Sequence, residues 1–230
     1  MKLRTLLAGS FALLTLAALP VQGADDTILY RSSPSGSKMS IEGTANMIHT
    51  TWWVQSTFII GALQVGAGFP TEPGQAVTPG KVDAQTINVS IRTRSLKSVE
   101  KDGKPYDEKM DGIMYEHLKA DQYPFISYRL KELTLKEAPQ SKDAPYLFDS
   151  KGELAIAGVT NTISMTVNVL PLEGKKLKIT GSPAVKMSDY KVGPVAPKIA
   201  LGIIKTGDEA KLSFEWMLVQ RAAPKTAAGK

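Results

Sequence analysis

The chain has 230 residues, no cysteine, two histidines and a formal net charge of +6. Disulfide scaffolds and thiolate metal sites are therefore excluded, and two distant histidines are too few ligands for a zinc or haem centre. The basic residues are spread along the chain rather than clustered with aromatics, which argues against a nucleic-acid partner.

Residues 1–23 read as a secretory signal peptide. Lys2 and Arg4 make a positive start, Leu6 to Leu19 is a short apolar run, and Val21-Gln22-Gly23 offers small or short side chains for cleavage near Gly23. The run is short and a polar chain follows at once, so it is not a membrane span. Loss of Lys2 and Arg4 lowers the net charge to +4. No cysteine follows the run, which closes the usual lipoprotein route, and the mature protein is expected to be soluble and periplasmic or secreted. Residues 24–219 are long enough for one domain with a substantial core, and residues 220–230, rich in Ala, Pro, Thr and Gly, read as a disordered tail.

After an unstructured start, Ser37 to Gly43 alternates Met39 and Ile41 with polar residues, a first strand. A polar turn from Thr44 leads to one longer strand from Trp52 to Leu63, with Trp52, Val54, Phe58 and Ile60 inward and Ser56 between them. A long Pro/Gly loop, Gly66 to Gly80, either lids one mouth of the fold or is idle. Thr86 to Arg94 is a further strand with Ile87, Val89 and Ile91 on one side. Met110, Ile113, Met114, His117 and Leu118 share one face of a short helix, ended by Pro124. Ile126, Tyr128 and Leu130 resume the strand pattern.

The strongest pattern is Gly152 to Leu170. Leu154 and Ile156 point one way on its first arm, and Ile163, Met165, Val167 and Val169 alternate with polar residues on its second. This is an antiparallel hairpin around a Gly-Val-Thr-Asn break. Leu177 and Ile179 continue the alternation, then Ala184 to Met187, then a two-proline loop from Val192 to Leu201. Ala210, Leu212, Phe214, Trp216 and Leu218 make a closing strand. About eight strands, each with one apolar face, and a single helix leave a two-layer sandwich or an up-and-down barrel.

Catalytic machinery is not legible. There is no G-x-S-x-G elbow and no thiol nucleophile. His49 sits in a polar turn and His117 on the apolar helix face. Asp107 with Asp111, and Asp25 with Asp26, lie in loops or at a helix start, where they cap. No catalytic or metal-binding residue is assigned.

Four stretches, in order, resemble the YceI-like family. GELAIAGVTNTISMTVNV is similar to its G-x-L-x-I-x-G-V-T hairpin, SKMSIEGTA to its opening strand, and MYEHLKADQYPFISY to its helix and following strand. MSDYKVGPV followed by GIIKTGDEAKLSF is similar to its closing segment. Ala45 departs from one branch of the family, where a serine follows the opening Gly-Thr.

The resemblance implies an all-β fold, an eight-stranded antiparallel lipocalin-like barrel with one short helix. It also implies that the barrel holds an isoprenoid lipid, a polyprenyl or quinone-type chain, for transport or storage. No cofactor is implied beyond that ligand. The expected lining is Ile41, Trp52, Val54, Phe58, Val89, Ile91, Ile126, Tyr128, Leu130, Leu154, Ile156, Ile163, Met165, Val167, Phe214 and Trp216. Transient membrane contact for lipid exchange goes with this reading, and a homodimer stays open. Two rivals remain: a secreted interaction or adhesion module whose aromatics fill a solid core, and an esterase-like enzyme acting on a lipid.

Overall fold

The computed structural model describes residues 27–46, 51–193 and 205–221, the Ile87 side chain excepted. The expected signal peptide, His49, most of the 192–201 loop and residues 222–230 of the tail lie outside the described residues, whereas residues 220 and 221 of the expected tail end the last strand.

The strands form one antiparallel meander closed into a ring. The long last strand, β13 (Thr206–Arg221), carries two strands in succession along one edge. β1 (Ile28–Ser32) pairs its residues 218–221, and β2 (Lys38–Ala45) pairs its residues 206–215. The chain then returns as β3 (Thr51–Ser56) against β2 and β4 (Ile59–Val65) against β1. A two-residue strand, β5 (Gly80–Lys81), follows. Next, β6 (Ala84–Arg92) pairs β4 and β7 (Lys97–Val99) pairs β3. β8 (Phe125–Glu137), β9 (Tyr146–Ile156), β10 (Val159–Leu172), β11 (Lys176–Gly181) and β12 (Ala184–Lys186) complete the circuit, the last two both on β13. The result is an eight-stranded barrel with four of its strands broken into two pieces; closure of β1 on β13 removes the sheet edges except at the short β7 and β12.

The breaks are where the sequence expectations need correction. The chain start is not unstructured: β1 is a barrel strand, and Tyr30 on it is fully buried. The single strand expected from Trp52 to Leu63 is two. The Ser56 hydroxyl accepts the Phe58 N–H at 3.0 Å, so the backbone leaves the ladder at Thr57 and rejoins it out of phase. Ile59 and Leu63 therefore turn inward while Phe58 and Ile60 face solvent, Phe58 being 41% exposed. A bulge in β6 opposite Gly61, with Asn88 at φ 50°, is a second change of phase.

The hairpin turns two residues earlier than its Gly-Val-Thr-Asn break suggested. Val159 already pairs Ile156, and Ala157 and Gly158 make the two-residue turn with φ of 49° and 83°. Positive φ at both positions matches the twist of the flanking strands.

One barrel end is packed solid. Tyr30, Leu135, Tyr146, Phe148, Val169, Leu177 and Leu218 are buried there. The Gly66–Gly80 loop covers this end and is not idle. Phe69, 2% exposed, stacks on Phe148 with ring centroids 5.9 Å apart, and the Tyr146 hydroxyl donates to the Gln75 carbonyl at 2.6 Å.

The α-helix, α1 (Glu108–His117), lies at the opposite end. Asp107 caps it, accepting the Lys109 N–H at 2.8 Å. Asp111, 5% exposed, pins it to β7: its carboxylate accepts the Ser98 N–H at 2.6 Å and the Ser98 hydroxyl at 2.8 Å, with Lys97 Nζ at 3.0 Å. Burial alone would raise the Asp111 pKa; the Ser98 hydrogen bonds and the Lys97 charge outweigh it and hold the carboxyl below its usual range.

Candidate functional site

Between the plugged end and the helix lies a hollow of about 670 Å³. That is well inside the 300–1,000 Å³ of ordinary ligand pockets. Every residue of the expected lining borders it except Phe58. Phe58 is the correction: the shift after Ser56 sends it outside, and Ile59 takes the inward place.

The strands show where the hollow begins and stops. Along β10, Ile163 and Met165 are half-buried whereas Val167 and Val169 are buried; along β8, Ile126 and Tyr128 are half-buried whereas Leu130, Leu133 and Leu135 are buried. In β13 Leu212 and Phe214 are half-buried, Trp216 and Leu218 buried. The inward stripe thus passes from cavity wall to packed core as it nears Phe69 and Phe148. At the other end the exposed residues Glu100, Asp107 and His117 join the lining, so the hollow meets solvent there, beside α1.

The aromatic residues that could have filled the interior lie flat against its wall. Phe214 covers Gly181, its register partner. Trp52 covers Gly43 in the same way, and its indole N–H donates to the Thr44 carbonyl at 3.0 Å. Tyr128 lies over Gly152 and reaches Ser150, hydroxyl to hydroxyl at 2.8 Å. Trp216 is held aside by a 2.8 Å bond from its indole N–H to the Ser32 hydroxyl. For Phe214, Trp52 and Tyr128 a glycine on the neighbouring strand gives the ring a place to lie without crossing the barrel axis.

The whole apolar face of α1 faces the hollow: Met110, Ile113, Met114, His117 and, just past its end, Leu118. The helical spacing identified this face but not what it covers. Tyr190 and Val192 also line the mouth, from the stretch after β12. Phe69 and Ser150 were missed as well; a lone aromatic in a Pro/Gly loop and one serine in a strand carry no periodic signal.

Chemically the site is a greasy socket. Ser98, at its rim, is committed to Asp111 and to the Asp107 carbonyl, and no histidine pairs with it among the described hydrogen bonds. No group of three or more metal-ligating side chains occurs among the described residues. No helix among them is long and apolar enough to cross a membrane.

Residues 30–218 match the family model described as a YceI-like domain. No curated protein sequence matches the chain significantly. The structure is similar to a polyisoprenoid binding domain from Saccharophagus degradans implicated in plant cell wall breakdown. The TM-score is 0.58 at 14% identity, over 84% of this chain and 98% of that one. It is also similar to BcnA of Burkholderia cenocepacia, with a TM-score of 0.51 at 17% identity, over 79% of this chain and 95% of the other. At these identities the likeness establishes the fold. With a family match across nearly all of the barrel and the same architecture in solved relatives, the chain belongs to the YceI-like family.

Proposed function

We propose that this protein holds one isoprenoid-type lipid chain in the barrel and works after export, in the periplasm or outside the cell, as a carrier or store. The observation that carries the reading is the blind apolar hollow: aliphatic, Met and aromatic walls, sealed by Phe69 and open beside α1. An apolar chain needs contact area more than hydrogen bonds. Each buried methylene contributes about 0.8 kcal/mol, so a five-carbon unit adds roughly 3 to 4 kcal/mol before ordering costs. Half-buried Met39 and Met165 give the wall an adaptable surface. The binding named for the Saccharophagus relative agrees with this assignment. In this reading the barrel binds and releases its ligand and does no chemistry on it.

Export is supported by the positively charged start and short apolar run of residues 1–23. Lipid exchange by transient membrane contact is supported by Phe58, Ile60 and Phe125, exposed on the outer face, with Arg92 the register partner of Phe125. The solid-core interaction module is less favoured: aromatics plug one end only, and Trp52, Tyr128 and Phe214 lie against the wall beside the hollow.

The test is to fill the socket from within. Val89→Trp and Met165→Trp place an indole in the hollow from half-buried wall positions. Both variants are expected to fold and to lose most of their bound lipid. Unchanged loading in both contradicts the proposed location.

A further inference from the structure

Tyr128 and Ser150 place two paired hydroxyls in a wall built mostly from hydrocarbon. Ser150 is 4% exposed and borders the hollow, one inward position along β9 from Phe148. Tyr128 reaches it because Gly152, between the two on the wall, leaves room for the ring. Their hydroxyl oxygens are 2.8 Å apart, and neither makes another hydrogen bond among the described residues.

Two hydroxyls bring two protons to that contact, and one proton suffices for it. Whichever group donates, the other O–H is left without an acceptor among the described hydrogen bonds, on a residue that borders the hollow. A buried donor without a partner is unfavourable, and a chain made only of carbon and hydrogen leaves it so. No basic side chain borders the hollow at this depth. A phosphate or carboxylate brought here would be an unpaired buried charge, which is far costlier than an unpaired hydroxyl.

We infer that the Tyr128–Ser150 pair is a specificity-determining anchor that donates one hydrogen bond to an uncharged acceptor oxygen, of the carbonyl class, on the bound lipid. This rests on the lipid-binding reading and deepens it. The pair lies toward the plugged end, so a ligand with a single terminal oxygen enters oxygen first. The rest of its chain then runs past Met165, Phe214 and Ile163 toward the mouth.

The experiment uses lipid-stripped protein and two probes of equal carbon number, an isoprenoid ketone and an isoprenoid hydrocarbon. Wild type is expected to bind the ketone about fivefold to tenfold more tightly, the value of one hydrogen bond. The double variant Tyr128→Phe/Ser150→Ala removes both partners at once and keeps the ring over Gly152, so its melting temperature without ligand is expected to match or exceed wild type. In it the ketone preference is expected to vanish, with hydrocarbon affinity rising because no donor is left unpaired in the wall. Equal affinity for both probes in wild type, or a preference surviving in the double variant, overturns the anchor and leaves the lipid reading standing. Failure of wild type to bind either probe overturns both.

Discussion

The ring of Phe214 lies so closely across Gly181 that a β-carbon on the glycine would stand 2.7 Å from both Cε1 and Cζ. The two residues are directly opposed on β13 and β11, and the ring faces the hollow. In Gly181→Ala the ring yields by swinging into open space. The stability cost is therefore modest, about 1 kcal/mol by denaturant midpoint, while lipid loading falls. Gly152→Ala is expected to be harsher, about 3 kcal/mol, because its β-carbon would also meet the Arg129 backbone carbonyl at 2.6 Å, and backbone cannot rotate away.

Phe69 decides the length of the hollow. It is buried against Phe148 at the end where every inward residue is packed. Phe69→Ala is expected to cost about 3 to 4 kcal/mol, as for other buried aromatics cut to alanine. Its second effect is on selectivity: with the plug gone, the surviving folded protein takes longer chains. Mass spectrometry of lipids retained from a mixture of chain lengths reads this shift, and an unchanged length distribution contradicts the plug.

The break after Ser56 yields a contrast between neighbours. Ile59→Ser introduces a hydroxyl at a buried inward position and is expected to cost 2 kcal/mol or more, roughly the loss of one buried aliphatic side chain. Phe58→Ser, at an exposed position, is expected to stay within about 0.5 kcal/mol of wild type. Equal costs would return both residues to a continuous strand.

Asp111 ties α1 to the barrel rim in a pH-dependent way. Its carboxyl is held below its usual range in the folded protein, by the Ser98 hydrogen bonds and Lys97 against the opposing effect of burial. A depressed folded pKa stabilises above the unfolded value, about 3.9, and that stabilisation is lost as pH falls through the lower folded value. Asp111→Asn is therefore expected to cost about 2 kcal/mol at neutral pH. The gap between variant and wild type should narrow only below about pH 4, as both lose the charge. A gap independent of pH would contradict the charge as its origin.

Period-two alternation carried most of this fold. Ile163 to Val169, Leu177 with Ile179, and Ala210 to Leu218 each point inward as their spacing required, because one face of every barrel strand is buried. Alternation failed at Phe58, where a side-chain hydroxyl captured a backbone N–H and shifted the phase, an event that leaves no periodic trace. It also missed β1, whose five residues are too short to show a pattern. The hollow was expected from the family resemblance and was not legible from periodicity. Trp52, Tyr128 and Phe214 have the bulk to fill a core, and only a glycine on the neighbouring strand, directly opposite in Gly43 and Gly181 and diagonal in Gly152, turns them into a wall. That pairing depends on register, which the sequence does not display.

The central claim is that the hollow of about 670 Å³ exists to hold an oily chain. Its most direct test is an organic extract of the mature protein purified from its native compartment, analysed by mass spectrometry against protein mass. The account predicts an isoprenoid lipid at close to one molecule per chain, strongly reduced in Val89→Trp. Protein that yields no lipid above the background of an unrelated exported protein would contradict it.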